Sequence, residues 1–181
     1  PTIPAAPGSD EAPSLRVESI TLASGQAAGP EPITGSQPYV SILCKFSDVS
    51  ATPKNLTYFK NMYSNSYPGL DHYWRQTSFD NVNIVGSNAY GWFTFDSNGN
   101  LLHWDILMDC TGVADSAVYF PNFTGINMMF NDVLDCCAWG GTGWTLDLDG
   151  VSKAYGITWE PPWGYSEITV MAHEMGHSMG M

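Results

Sequence analysis

His173, Glu174 and His177 form a His-Glu-x-x-His motif inside Met171-Ala-His-Glu-Met-Gly-His-Ser-Met-Gly-Met181. That spacing has chemical meaning only on an α-helix, where residues four apart lie one turn apart on one face. Any fold of this chain must therefore supply a helix here with one face open and the other buried. Ile168, Met171, Ala172 and Met175 are the apolar residues available for burial. Two imidazoles so spaced can share one tetrahedral Zn²⁺, with the intervening Glu beside it to take a proton from zinc-activated water. The motif thus predicts His173 and His177 as metal ligands and Glu174 as the general base of a zinc hydrolase. A third protein ligand is expected beyond Met181, so the 181 residues alone are expected to be inactive.

The rest of the chain is long enough to hold such a helix. At 181 residues, with 44% hydrophobic and 13% aromatic content, it reads as one globular domain or most of one. Six Lys and Arg stand against 18 Asp and Glu, a formal charge of −12. Nucleic acids and anionic membranes both require basic patches, so neither is an expected partner. No apolar run reaches membrane-spanning length, and no secretory signal with a basic start and apolar centre is present. The expectation is a secreted, extracellular monomer acting on a protein or peptide substrate.

Cys44, Cys110, Cys136 and Cys137 contain no Cys-x-x-Cys pair, which argues against a thiolate zinc site. Adjacent Cys136 and Cys137 would close a small, strained ring, so the expected disulfide joins Cys110 to one of them. Asn55-Leu-Thr57 and Asn122-Phe-Thr124 match the glycosylation sequon, a short pattern that also arises by chance.

Residues 1–37 are rich in Pro, Ala, Gly and Ser and read as a linker or the end of a pro-segment, interrupted by a strand-like stretch at Leu15–Leu22. Residues 38–181 are expected to be the N-terminal part of a catalytic domain that continues past Met181. Tyr39–Phe46 is apolar enough for an interior strand. Thr52 and Pro53 predict a helix start, followed by Leu56, Phe59 and Tyr63 at helical spacing. Tyr67-Pro-Gly69 ends that helix, and a second short one runs from Leu70 to near Ser78. Asn83–Val85 and Trp92–Phe95 read as two strands about a Gly/Asn turn. A helix is expected over Trp104–Val118, with Trp104, Leu107, Met108 and Val118 inward. Strands are expected at Ile126–Phe130, Trp144–Leu148 and Tyr155–Trp159, with a turn at Asp149-Gly150. Ser166 is the expected cap of the motif helix, with Glu167 in its first turn.

Gly180 extends the motif to His-Glu-x-x-His-x-x-Gly, and glycine there can turn left-handed, end the helix and redirect the chain. In metzincins this bend leads to a third His three residues further on. The chain resembles the catalytic region of a secreted zinc metallopeptidase of the immune inhibitor A-like or gametolysin-like type, within the metzincin-like group. Ala172-His-Glu-Met-Gly-His-Ser-Met-Gly180 carries the resemblance, supported by Lys45-Phe-Ser-Asp48 and by Tyr67–Ser78 entering Asn83-Ile-Val-Gly86. It spans about residues 38–181.

The resemblance implies an α+β fold: a zincin-like (metzincin-type) N-terminal subdomain, with a twisted mixed β-sheet and an active-site helix. It also implies Zn²⁺ on His173 and His177, Glu174 as general base, and endopeptidase activity. A zinc aminopeptidase or other zinc hydrolase with a downstream Glu ligand is the alternative within the enzymes. The Trp and Tyr content also suits a non-catalytic extracellular carbohydrate- or matrix-binding module.

Trp159, Trp163 and Tyr165, just before the motif helix, could line a substrate cleft or cover the core edge. Ca²⁺ is a further expected cofactor, with Asp96-Ser-Asn-Gly-Asn100, Asp147 with Asp149 and Gly150, and Asp132 with Asp135 as the loops that could hold it. Asn/Gly-rich turns have the same composition. His72 reads as a structural histidine or a second metal ligand, and His103 has no assigned role.

Overall fold

Tyr39–Phe46 is buried along nearly its whole length, which places it inside a sheet covered on both faces. In the computed structural model, which describes residues 32–96 and 102–181, it is the second strand of the unit Ile33–Met181. The strands are β1 (Gly35–Ser36), β2 (Tyr39–Phe46), β3 (Val82–Asn83), β4 (Asn88–Phe95), β5 (Gly125–Phe130), β6 (Trp139–Leu148) and β7 (Val151–Glu160). The helices are α1 (Leu56–Met62), α2 (Leu70–Thr77), α3 (His103–Ala114) and α4 (Ile168–Met179), with a 3₁₀ turn at Phe120–Asn122. The expected Leu15–Leu22 strand, nearly all of the 1–37 segment and most of the Asp96–Asn100 loop lie outside the described residues.

The main sheet is mixed, in the order β4-β2-β5-β7-β6. β4, β2, β5 and β7 are parallel neighbours, and β6 forms an edge antiparallel to β7. Parallel neighbours need crossovers. α1 and α2 connect β2 to β4, α3 connects β4 to β5, and in the chain β6 comes between β5 and β7. The fold is thus α+β with a mixed sheet and four helices among the described residues.

Side-chain alternation splits the core between the two faces. Val40, Ile42, Cys44, Ile126, Met128 and Ile157 pack with α3. Tyr39, Leu43 and Met129 pack with apolar residues of α1, α2 and α4. α4 therefore lies across the sheet near its β6 edge.

Several local expectations change. α1 begins three residues after Pro53, because the Asn55 side chain accepts the Tyr58 amide at 2.9 Å and supplies the cap. Asn83 and Val85 do not pair with Trp92–Phe95. β3 pairs with β1 in a separate two-stranded sheet, and β4 joins β2 in parallel. α3 ends at Ala114 and turns Ile106, Leu107, Cys110 and Ala114 inward, leaving Trp104 45% and Met108 41% exposed. Trp104 stacks instead on Trp144 of β6, centroids 5.7 Å apart. β6 and β7 are longer than expected and close a hairpin at Asp149-Gly150, both at positive φ (51° and 75°).

The disulfide expectation is also corrected: Cys44 bridges Cys110, and Cys136 bridges Cys137. Cys44 points from β2 at α3, where Cys110 faces it with Cα atoms 5.9 Å apart. That pairing leaves the two adjacent cysteines to each other.

Candidate metal centre and cleft

α4 carries the motif, and its buried face docks it on the sheet. Met171, Ala172 and Met175 enter the core. Ser178 Oγ meets the Tyr39 hydroxyl at 2.7 Å, and burial pushes that phenol up to about 12. Gly140 and Gly156 let the helix backbone come close, since a Cβ at either would overlap the carbonyl of Glu174 or Ser178 respectively. Glu167, not Ser166, is the cap residue, and the Ser166 hydroxyl donates to the Pro162 carbonyl at 2.6 Å. Gly180 ends the helix at φ 88°, and Gly180 N–H and Met181 N–H donate to the carbonyls of His177 and Gly176.

His173 and His177 stand exposed on the open face, with their Nε2 atoms 3.1 Å apart and ring planes at 84°. Two nitrogens bound about 2.0–2.1 Å from one tetrahedral Zn²⁺ lie about 3.3 Å from each other. The two imidazoles therefore already stand at nearly the separation of two corners of a zinc tetrahedron. Among the described residues, Asp135, Cys136 and Cys137 are the one group of three or more potential ligand residues, and their sulfurs are already joined. A third ligand for His173 and His177 would come from elsewhere.

Glu174, between the histidines, is only 9% exposed. Burial raises its carboxyl above the ordinary value, and the imidazoles of His173 and His177 oppose the rise. Glu160, at the end of β7, is wholly buried, and neither of its oxygens makes a hydrogen bond of standard geometry. Burial holds it well above the ordinary carboxyl range, Glu174 pushes it the same way, and Thr158 gives the anion only slight relief. Sequence reasoning missed Glu160. The available signal was a carboxylate ending the otherwise apolar run Tyr155–Trp159.

Hollows flank the motif on several sides. One of about 560 Å³ lies between Tyr73 and Trp74 of α2 and both histidines. Another of about 490 Å³ lies between Trp139 and Gly140 at the start of β6 and Glu174 and His177. A third, of about 450 Å³, places Cys136, Cys137 and Trp163 beside His173 and Glu174. Sequence reasoning assigns Cys136 and Cys137 no role beyond a disulfide and so misses their position beside His173 and Glu174.

Of the expected cleft aromatics, Trp163 stands beside the motif. Trp159 points to the α3 side and donates its indole N–H to the His103 carbonyl at 3.2 Å. Tyr165 is fully buried against Phe59, with its hydroxyl donating to the Phe130 carbonyl at 3.0 Å. These two cover the core, Trp159 edge-on to His103 and Trp144 and Tyr165 edge-on to Phe59.

His72 lies on α2 with its ring edge-on to Tyr67, while neighbouring Asp71 is clamped by Arg75 (2.8 Å) and the Ile84 amide (2.8 Å). His103 sits between Trp139 and Trp159, 3.7 Å from Asp135. Among the acidic loops, Asp149 accepts the Phe120 amide, Asp132 the Val133 amide, and Asp135 the Cys137 amide and the Trp139 indole. These carboxylates thus hold turns.

No protein-family model and no curated protein matches the chain.

Proposed function

We propose that this chain carries the core of a secreted zinc-dependent endopeptidase of zincin-like, metzincin-type architecture. The observation that carries the reading is the pair of exposed imidazole nitrogens 3.1 Å apart, flanking a largely buried carboxyl. His173 and His177 would hold Zn²⁺ through Nε2. When bound, the metal supplies a Lewis acid for a peptide carbonyl and makes water acidic enough to attack near neutral pH.

The protein's own groups do the rest. Glu174, with its carboxyl raised by burial, takes a proton from the attacking water and passes it to the leaving nitrogen. β6 ends the main sheet, and its first residues lie beside Glu174 and His177. An extended peptide can add to such an edge as a further strand, which brings its backbone past the motif. Such an edge takes any unfolded peptide segment through its backbone, which favours cleavage within chains. Two disulfides fit an oxidising, extracellular setting, and no described helix is long and apolar enough to cross a membrane.

The test combines metal analysis with casein cleavage by the full-length protein. Glu174→Gln is expected to keep zinc while losing about 10²–10⁴-fold in rate. His173→Ala is expected to lose zinc. Full activity in Glu174→Gln would overturn the mechanism.

A further inference from the structure

The turn between β5 and β6 carries chemistry that the proposed reaction leaves unused. Asp135 fixes it by accepting the Cys137 amide at 2.9 Å and the Trp139 indole at 3.1 Å. Buried Leu134 anchors it on one side, and the Trp139–Trp159 register anchors it on the other. So held, the Cys136–Cys137 disulfide forms part of the 450 Å³ hollow that also contains Trp163, Val170, His173 and Glu174.

We propose that the Cys136–Cys137 disulfide is a substrate-contacting wall of the cleft, which together with Trp163 selects a large apolar side chain beside the bond under attack, and that a dithiol reductant erases this selection. The inference rests on the peptidase reading above.

The lining supports this occupant. Cys136, Cys137, Ala138, Val170 and Trp163 make most of the lining apolar, Thr169 adds one uncharged polar side chain, and the charge-bearing groups are His173 and Glu174 of the motif. A charged substrate side chain would lose its water there without gaining a partner of its own. Trp163 is 46% exposed, so its ring is free to pack on an incoming side chain. The hollow is continuous with the motif through His173 and Glu174, which places its occupant next to the reacting bond.

Reduction can be selective. Cys136 is exposed and Cys137 half-buried, whereas Cys44 and Cys110 are fully buried. Thiol–disulfide exchange requires access to sulfur, so a dithiol reaches the turn before the core. The Cys136–Cys137 bond breaks, and the dithiol supplies two electrons and two protons. It leaves as a cyclic disulfide, and both cysteines become thiols. Opening the small ring frees two side chains that had been fixed as one wall.

The experiment is fluorescence anisotropy of labelled, unstructured peptides with the full-length protein carrying Glu174→Gln in the presence of zinc, which reads binding without turnover. The peptides carry Phe, Gly or Asp at one central position. The Phe peptide is expected to bind about ten-fold tighter than the Gly peptide. That preference is expected to fall below about two-fold in Cys136→Ser/Cys137→Ser, in Trp163→Ala and after mild dithiol treatment. Alkylation and mass mapping identify the reduced cysteines, and thermal melting checks each variant. Trp163→Gln and Cys136→Thr/Cys137→Thr replace any variant that does not fold. A Phe preference that survives both sets of replacements overturns the proposal and leaves the peptidase reading standing. Failure of the folded, zinc-bound chain to bind any of the peptides overturns both.

Discussion

Glu160 is wholly buried with no hydrogen bond of standard geometry, and the groups nearest in charge and polarity are Glu174, Tyr63 and Thr158. The folded protein holds its proton more tightly than the unfolded chain, whose carboxyl has the ordinary value of 4.5. Full stability from this group is therefore present below about 4.5, and is lost as pH rises from there through the higher folded-state value. Glu160→Gln keeps the neutral shape and removes the ionisation. Its melting temperature should exceed the wild type's at pH 8, with the gap closing toward pH 4.5, as scanning calorimetry across that range would show. A constant gap would remove Glu160 as the source.

At the scale of elements, α4 is held on the sheet by close backbone approach as much as by apolar burial. Gly140→Ala pushes a methyl into the Glu174 carbonyl and is expected to cost about 1–3 kcal/mol in urea denaturation. The same shift moves Glu174 relative to β6, so zinc affinity and cleavage should fall with it. At α1 the cap is Asn55 and not Thr52. Asn55→Ala is expected to destabilise by about 1 kcal/mol, and Thr52→Ala by less than about 0.5 kcal/mol. Equal losses would restore the earlier helix start that Thr52-Pro53 suggests.

For the whole molecule, the Cys44–Cys110 bridge ties the interior strand β2 to α3 across 66 residues. Closing a loop of that length restricts the unfolded chain, and its removal in Cys44→Ala/Cys110→Ala is expected to cost about 4 kcal/mol in guanidinium denaturation. Cys136–Cys137 spans adjacent residues and restricts the unfolded chain far less, so its removal should leave the midpoint nearly unchanged. Comparing the two double variants separates a bridge that stabilises the fold from one that shapes the cleft.

The sequence by itself determined what depends on near neighbours. The His173–His177 spacing defines a helical pair whatever surrounds it, the largely apolar runs of β2 and β5 favour burial on both faces, and Gly180 is suited to a left-handed helix end. Only the tertiary structure decided matters that depend on residues far apart in the chain. It joined β4 to β2 in parallel, turned Trp104 outward onto Trp144, and paired Cys110 with Cys44. It also separated Trp163 from Trp159 and Tyr165, and set Glu160 and the Cys136–Cys137 turn beside Glu174. Local spacing reports the geometry of one element, whereas its partners are chosen by the shared burial of apolar surface across the whole fold, which no single segment contains.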